Sequence, residues 1–147
     1  MKATIIHTLF GVIAFDEEKK LIANALFPKK PEEAAKTIME IESGKVVKEV
    51  ADLVNHLKNS GYTSLIFENA LLAEEVKEKF GVAVEAAKVS EAGEILRSNM
   101  EGFAIETGFV KDYKEFRLWT RKVSMEIAKL KVKRAVEKKD LIIAQAI

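Results

Sequence analysis

The side chains able to do acid–base or metal chemistry are the carboxylate pairs Glu17-Glu18, Glu32-Glu33 and Glu74-Glu75 and the two histidines, His7 and His56. Each pair reads more simply as solvated surface or as negative charge suited to the first turn of a helix. His7 falls in a strand-like run and is read as a buried, hydrogen-bonded imidazole, whereas His56 lies beside an apolar helical stripe and is read as a boundary residue. Two imidazoles do not make a histidine-rich metal site. The chain has no cysteine, which excludes a disulfide framework, thiolate-ligated metal and a thiol nucleophile. Its glycines are scattered singly, with Gly93 and Gly102 inside helical sequence, so there is no phosphate-cradling loop. A glycine-serine-glycine elbow is also missing. The residue types favour binding or scaffolding over catalysis, and no catalytic, cofactor-binding or metal-binding residue is assigned.

The elements that would carry a binding surface start at the N-terminus. From Ala3 to Phe27, β-branched and aromatic residues stand on both sides of the charged run Asp16-Glu17-Glu18-Lys19-Lys20, a pattern that suits paired strands better than a helix. The expected strands are Ala3–His7, Gly11–Phe15 and Leu21–Phe27, with a turn at Thr8–Gly11 allowed by a positive φ at Gly11. Pro31 suits the first turn of a helix that reaches Ser43-Gly44, and Val46 to Leu57 form a second apolar stripe closed by Asn59-Ser60-Gly61. A strand at Tyr62–Phe67, a helix at Ala70–Phe80 and a short strand at Val82–Glu85 then suit parallel pairing through a crossover. One or two helices follow Val89, interrupted at Gly108.

Asp112 is the expected cap of the last helix, with Glu115 in the reciprocal position. The 36 residues from 112 to 147 contain neither proline nor glycine, a length of about 54 Å as a helix. Phe116, Trp119, Val123, Ile127 and Leu130 make a docking stripe. Met125, Ala128, Val132, Ala135, Lys139, Ile142 and Ala146 make a second line with the rhythm of helix pairing. The fold class is therefore α/β: a small mixed β-sheet with an N-terminal antiparallel meander, packed helices and a long projecting C-terminal helix. Residues 1–111 form the globular domain and residues 112–147 the long helix, which docks and then opens a truncated coiled coil. The uncapped apolar ending, taken together with the resemblance given below, leads to the expectation that this is the N-terminal piece of a longer protein.

Charge divides in the same way. Residues 1–110 carry 13 basic and 18 acidic side chains, a balance of −5, and residues 111–147 carry 11 basic and 5 acidic, a balance of +6. The globular part is a poor grip for a phosphate backbone; the tail, through Lys131, Lys133 and Arg134, suits a grazing RNA contact or plain solubility. Phe10 on its loop and Phe109, Tyr113, Phe116 and Trp119 at the exit of the last helix form either a core joint or a partner patch. No run of about 18 apolar residues is present, which argues against a membrane span.

The stretch Ile6-His7-Thr8-Leu9-Phe10-Gly11-Val12-Ile13-Ala14-Phe15, the Leu26-Phe27-Pro28 boundary, the Gly61-Tyr62 strand start and above all Lys133-Arg134-Ala135-Val136-Glu137-Lys138-Lys139-Asp140-Leu141-Ile142-Ile143-Ala144-Gln145-Ala146-Ile147 resemble the archaeal member of the Nop family, the scaffold of C/D box guide ribonucleoproteins. The resemblance covers the whole chain and rests most on its basic, alanine-containing tail. It implies an archaeal cytoplasmic protein whose N-terminal α/β domain binds fibrillarin, the methyltransferase that moves a methyl group from S-adenosylmethionine to the 2′-hydroxyl of a guide-selected nucleotide in rRNA or tRNA. S-adenosylmethionine then belongs to the partner, and the chain needs no cofactor. The resemblance also implies that the full-length parent self-dimerises through a coiled coil and holds guide RNA together with a kink-turn-binding protein. Neither full dimerisation nor stable RNA binding is expected of the shorter chain. Within that frame the partner-binding candidates are Leu9, Phe10, Phe67, Leu71, Phe109, Tyr113 and Trp119, and the helix-pairing candidates are Val132, Ala135, Ile142 and Ala146.

Overall fold

The structure, a computed structural model, describes the backbone of residues 1–87 and 89–146 and the side chains of all of these except 89–92 and 140–146. Three strands open the chain: β1 (Lys2–His7), β2 (Gly11–Phe15) and β3 (Leu21–Leu26). Asp16 closes the second hairpin because its Oδ1 accepts from the backbone N–H groups of Glu18 and Lys20, both at 2.9 Å. The helices α1 (Pro31–Glu42) and α2 (Lys48–Asn59) lead to β4 (Ser64–Phe67), α3 (Ala70–Phe80) and β5 (Ala83–Ala86). Then come α4 (Val89–Glu106) and α5 (Tyr113–Ala146). The region after Val89, read from sequence as one or two helices, is a single helix running through both of its glycines.

The sheet order is β3-β2-β1-β4-β5. The first three strands pair antiparallel, while β1 with β4 and β4 with β5 pair parallel. Cross-strand partners share a face, so His7 and Val12 point to one side and Thr4, Ile6, Ile13 and Phe15 to the other. On the His7 side the sheet meets Ile41 of α1, Val50 of α2 and Leu72 of α3. On the other side Phe15 meets Phe103 of α4 at 5.1 Å between ring centroids. Helices on both faces explain why all five residues of β2 are buried.

Gly11 has a different role from the one expected. It does not take a positive φ; a Cβ there would lie 2.7 Å from the Ala25 carbonyl oxygen, so the close approach of β3 requires glycine. Gly44, at φ +91°, ends the α1 region where a Cβ would lie 2.6 Å from Leu71 Cβ, and so lets α1 meet the start of α3.

Asp112 caps α5, its Oδ1 accepting from the Glu115 N–H at 2.9 Å. Glu115 reaches back one residue further than the reciprocal cap predicts, accepting from the Lys111 N–H at 2.9 Å. The 34 residues of α5 rise about 51 Å. Phe116, Trp119 and Val123 are buried, and Ile127 and Leu130 are half-buried. Every side chain from Lys131 to Lys139 is exposed. The docking stripe therefore ends at Leu130, and the helix continues beyond its contacts with α1.

Candidate functional site

The root of α5 is built around the Thr8–Gly11 turn. Thr8 is buried, and its hydroxyl accepts from the N–H groups of Phe10 and Gly11, each at 3.1 Å, while donating to the Gly11 carbonyl at 2.9 Å. The turn thus satisfies its own polar groups and can enter an apolar setting at little cost. Phe10 packs against Phe109 and Phe116, with centroids 5.9 and 6.5 Å away, and Phe109 meets Trp119 edge-on at 4.7 Å. The Trp119 indole N–H donates to the Leu9 carbonyl at 2.7 Å, joining α5 to the end of β1. Lys29, in the segment between β3 and α1, donates to the Phe109 carbonyl and holds its ammonium 4.3 Å from the centre of the Phe109 ring.

This geometry decides between the two readings of the aromatic cluster. Phe10, Phe109 and Trp119 are buried within the chain itself and form a joint. Phe67 is likewise buried, in β4 against the core. These four partner candidates are corrected to core positions, because an aromatic beside an apolar turn and sheet gains more from burial there than from exposure. Leu9 is half-buried at the margin, while Leu71 is 63% and Tyr113 43% exposed. The exposed side of the same helix root also carries Leu118, 50% exposed. Arg117 lies 4.3 Å over the Tyr113 ring and donates to its hydroxyl at 3.2 Å. Tyr113, Lys114, Arg117, Leu118 and Arg121 line one surface hollow. Sequence reading missed Leu118, although it stands seven residues before Met125, which in turn stands seven before Val132. Met125, Ala128, Val132 and Ala135 of the pairing line are exposed, as are Lys131, Lys133 and Arg134. The side chains of Ile142 and Ala146 lie outside those described.

A second feature opens beside the carboxyl end of β1, under α1, α2 and α3. A cleft of about 260 Å³ has walls from Val12, Ile41, Val50, Phe67 and Leu72, with His7, Glu68 and Asn69 beside them. Asn69 caps α3: its Oδ1 accepts from the N–H groups of Leu71 and Leu72 at 2.9 and 3.2 Å. Its amide nitrogen donates to the carbonyls of Ile41 and Glu42 at 3.1 and 2.9 Å, so one side chain clasps the end of α1 to the start of α3. His7, expected to be buried and hydrogen-bonded, is half-buried, and its Nδ1 has no partner. Glu68 Oε1 has none either. Burial pushes the Glu68 carboxyl above its ordinary value, and His7 pulls it partly back. Glu49, on α2 outside the cleft, also has an unpartnered Oε2 and a carboxyl raised by burial. The acid pairs Glu17-Glu18, Glu32-Glu33 and Glu74-Glu75 are exposed, as is His56. No group of three metal-ligating side chains converges among the described residues. No helix of the described residues is long and apolar enough to cross a membrane.

Fold and surface together define a class: a mixed-sheet α/β domain with helices on both faces and a long projecting helix whose root is locked to the sheet by aromatic packing. Residues 2–133 match the family described as the archaeal Nop5/56-rel N-terminal domain, and the chain belongs to that family. Its fold is similar to that of the Nop N-terminal domain of Methanocaldococcus jannaschii, with a TM-score of 0.54 and 20% identity over 90% of this chain and 98% of that one. No curated protein matches the chain.

Proposed function

We propose that this chain is a scaffold domain of an archaeal C/D box ribonucleoprotein that binds fibrillarin and leaves the methyl transfer to it. The observation that carries this reading is the family match over residues 2–133. The exposed root of α5 supports it: Tyr113 and Leu118 supply apolar anchor area beside Arg117 and Arg121, a combination common at protein interfaces. Tyr113, Leu118, Leu9 and Leu71 are the residues put forward for partner contact, and the buried Phe10, Phe109 and Trp119 hold that surface in shape.

A scaffold accelerates its partner's reaction by fixing enzyme and substrate in productive geometry, and it stabilises the enzyme by binding its folded state. Neither effect needs a catalytic residue or cofactor in this chain. In this reading the exposed line through Val132 and Ala135 serves helix pairing, and guide RNA is held together with a kink-turn-binding protein. Equilibrium sedimentation of the chain with fibrillarin is expected to give a one-to-one complex, and separate sedimentation of the two would overturn the reading. Methyl transfer by the purified chain without fibrillarin would contradict the adaptor role.

A second reading has its own supporting observation: Lys131, Lys133 and Arg134 are all exposed on a helix free of the domain. In that reading they contact RNA phosphates. Affinity for guide RNA should then fall with salt at a log–log slope of about −2, as three single-strand phosphate contacts require. It should vanish when the three side chains are neutralised.

A further inference from the structure

The parallel neighbours β1 and β4 release the chain in opposite directions at their carboxyl ends, β1 through the Thr8–Gly11 turn to β2 and β4 through Asn69 into α3. The carboxyl ends of parallel strands are where open α/β sheets commonly hold ligands, and here a gap opens between them. That gap is the 260 Å³ cleft, and its two polar atoms without partners are His7 Nδ1 and Glu68 Oε1. A buried acceptor left unpaired carries a desolvation cost, which a ligand bringing the right donors recovers.

The sign of the site follows from what is already taken. An anion would want the first N–H groups of α3, but Asn69 Oδ1 occupies those of Leu71 and Leu72. It would also meet the Glu68 carboxylate. Both open groups accept hydrogen bonds, the imidazole when its proton sits on Nε2. One imidazole and one carboxylate fall short of a metal's usual ligand set. Two acceptors at the ends of neighbouring strands, His7 closing β1 and Glu68 just past β4, with apolar walls from Val12, Phe67 and Leu72 suit a flat, weakly hydrated cation with several N–H groups. We propose that the cleft between the ends of β1 and β4 binds a guanidinium group, held by Glu68 and His7. The group comes either from an arginine side chain of a protein partner or from a free small guanidine. The cleft chemistry is independent of the scaffold reading; only the first source draws on it.

The test is a titration of the full chain with methylguanidinium chloride, followed by amide NMR. Saturable shifts are expected at His7, Val12, Glu68 and Leu72 with Kd of about 1–10 mM, typical of a small ligand with few contacts. Methylammonium at equal ionic strength should bind several-fold more weakly. Glu68→Gln should weaken methylguanidinium binding about tenfold by removing the charge-assisted bond, and His7→Ala about threefold, with amide spectra elsewhere unchanged. No localised shift up to roughly 50 mM, or equal binding by Glu68→Gln, overturns the proposal. The source is read from fibrillarin affinity: a tenfold loss in Glu68→Gln assigns the guanidinium to the partner, and an unchanged affinity assigns it to a small molecule. Failure of wild-type chain to bind fibrillarin would sink the scaffold reading alone, because the methylguanidinium titration does not involve it.

Discussion

His7 and Thr8 are consecutive, yet they meet opposite circumstances. Thr8 spends its hydroxyl on three bonds within a buried turn, and the neighbouring Leu9 carbonyl receives the Trp119 indole N–H. His7, one residue earlier and lining the cleft, leaves Nδ1 unpaired beside an equally unpaired Glu68 Oε1. Closed polar groups and packed rings make the first region a structural joint for α5. Open polar groups give the second region an unused capacity to bind. Exposure to solvent alone would not distinguish them, because both Leu9 and His7 are half-buried.

The joint should dominate stability. Trp119→Ala is expected to cost about 3–5 kcal/mol, as large aromatic deletions do, lowering Tm by roughly 10–15 °C for a chain of this size. Trp119→Phe keeps a ring but leaves the Leu9 carbonyl unpaired, for a loss of about 1–2 kcal/mol by denaturant unfolding. If the two substitutions cost the same, the hydrogen bond rather than the packing holds the joint. Thr8→Val preserves shape while stripping the partners from the Phe10 and Gly11 N–H groups, and should cost about 2–3 kcal/mol.

Asn69 borders the cleft but belongs energetically with the closed groups. Removing its cap and its bonds to α1 in Asn69→Ala should cost about 1–2 kcal/mol in a urea melt. Glu68 should behave in the opposite way. Its carboxyl is raised above 4.5 by burial, against the pull of His7, so the folded chain holds the proton more tightly than the unfolded chain does. That contribution to stability is fully present below pH 4.5 and is lost as pH rises through the folded value. Glu68→Gln does not titrate, so it should be more stable than wild type at neutral pH, with the difference closing in melts below pH 4.5. A variant less stable than wild type at neutral pH would mean that Glu68 is structurally paired and would erase the contrast with Thr8. The smallest effect belongs to the distal helix: Val132→Ala should change stability by less than about 0.5 kcal/mol, because that side chain is exposed.

Local chemistry made most of the fold legible. The charged run at Asp16–Lys20 marked a hairpin, Pro31 a helix start and Asp112 a cap, and each acts within a few residues of itself. The stripe from Phe116 to Leu130 identified the docked side of α5 because helical spacing is a local property. Partner residues were harder to read. Whether Phe10 or Trp119 is an anchor or a joint depends on elements 110 residues apart in the chain, and composition is the same in both cases. The clasp by Asn69 joins groups 27 and 28 residues away, and the missing partners of His7 and Glu68 are a property of packing that residue type does not encode. Leu118 was recoverable, since the seven-residue spacing to Met125 and Val132 was present in the sequence.

Titration calorimetry of fibrillarin into this chain tests the adaptor role most directly. The account predicts saturation at one partner per chain, weakened by replacing Tyr113 and Leu118 together with alanine and unaffected by Lys131→Ala. Absence of binding heat together with separate migration of the two proteins would contradict it.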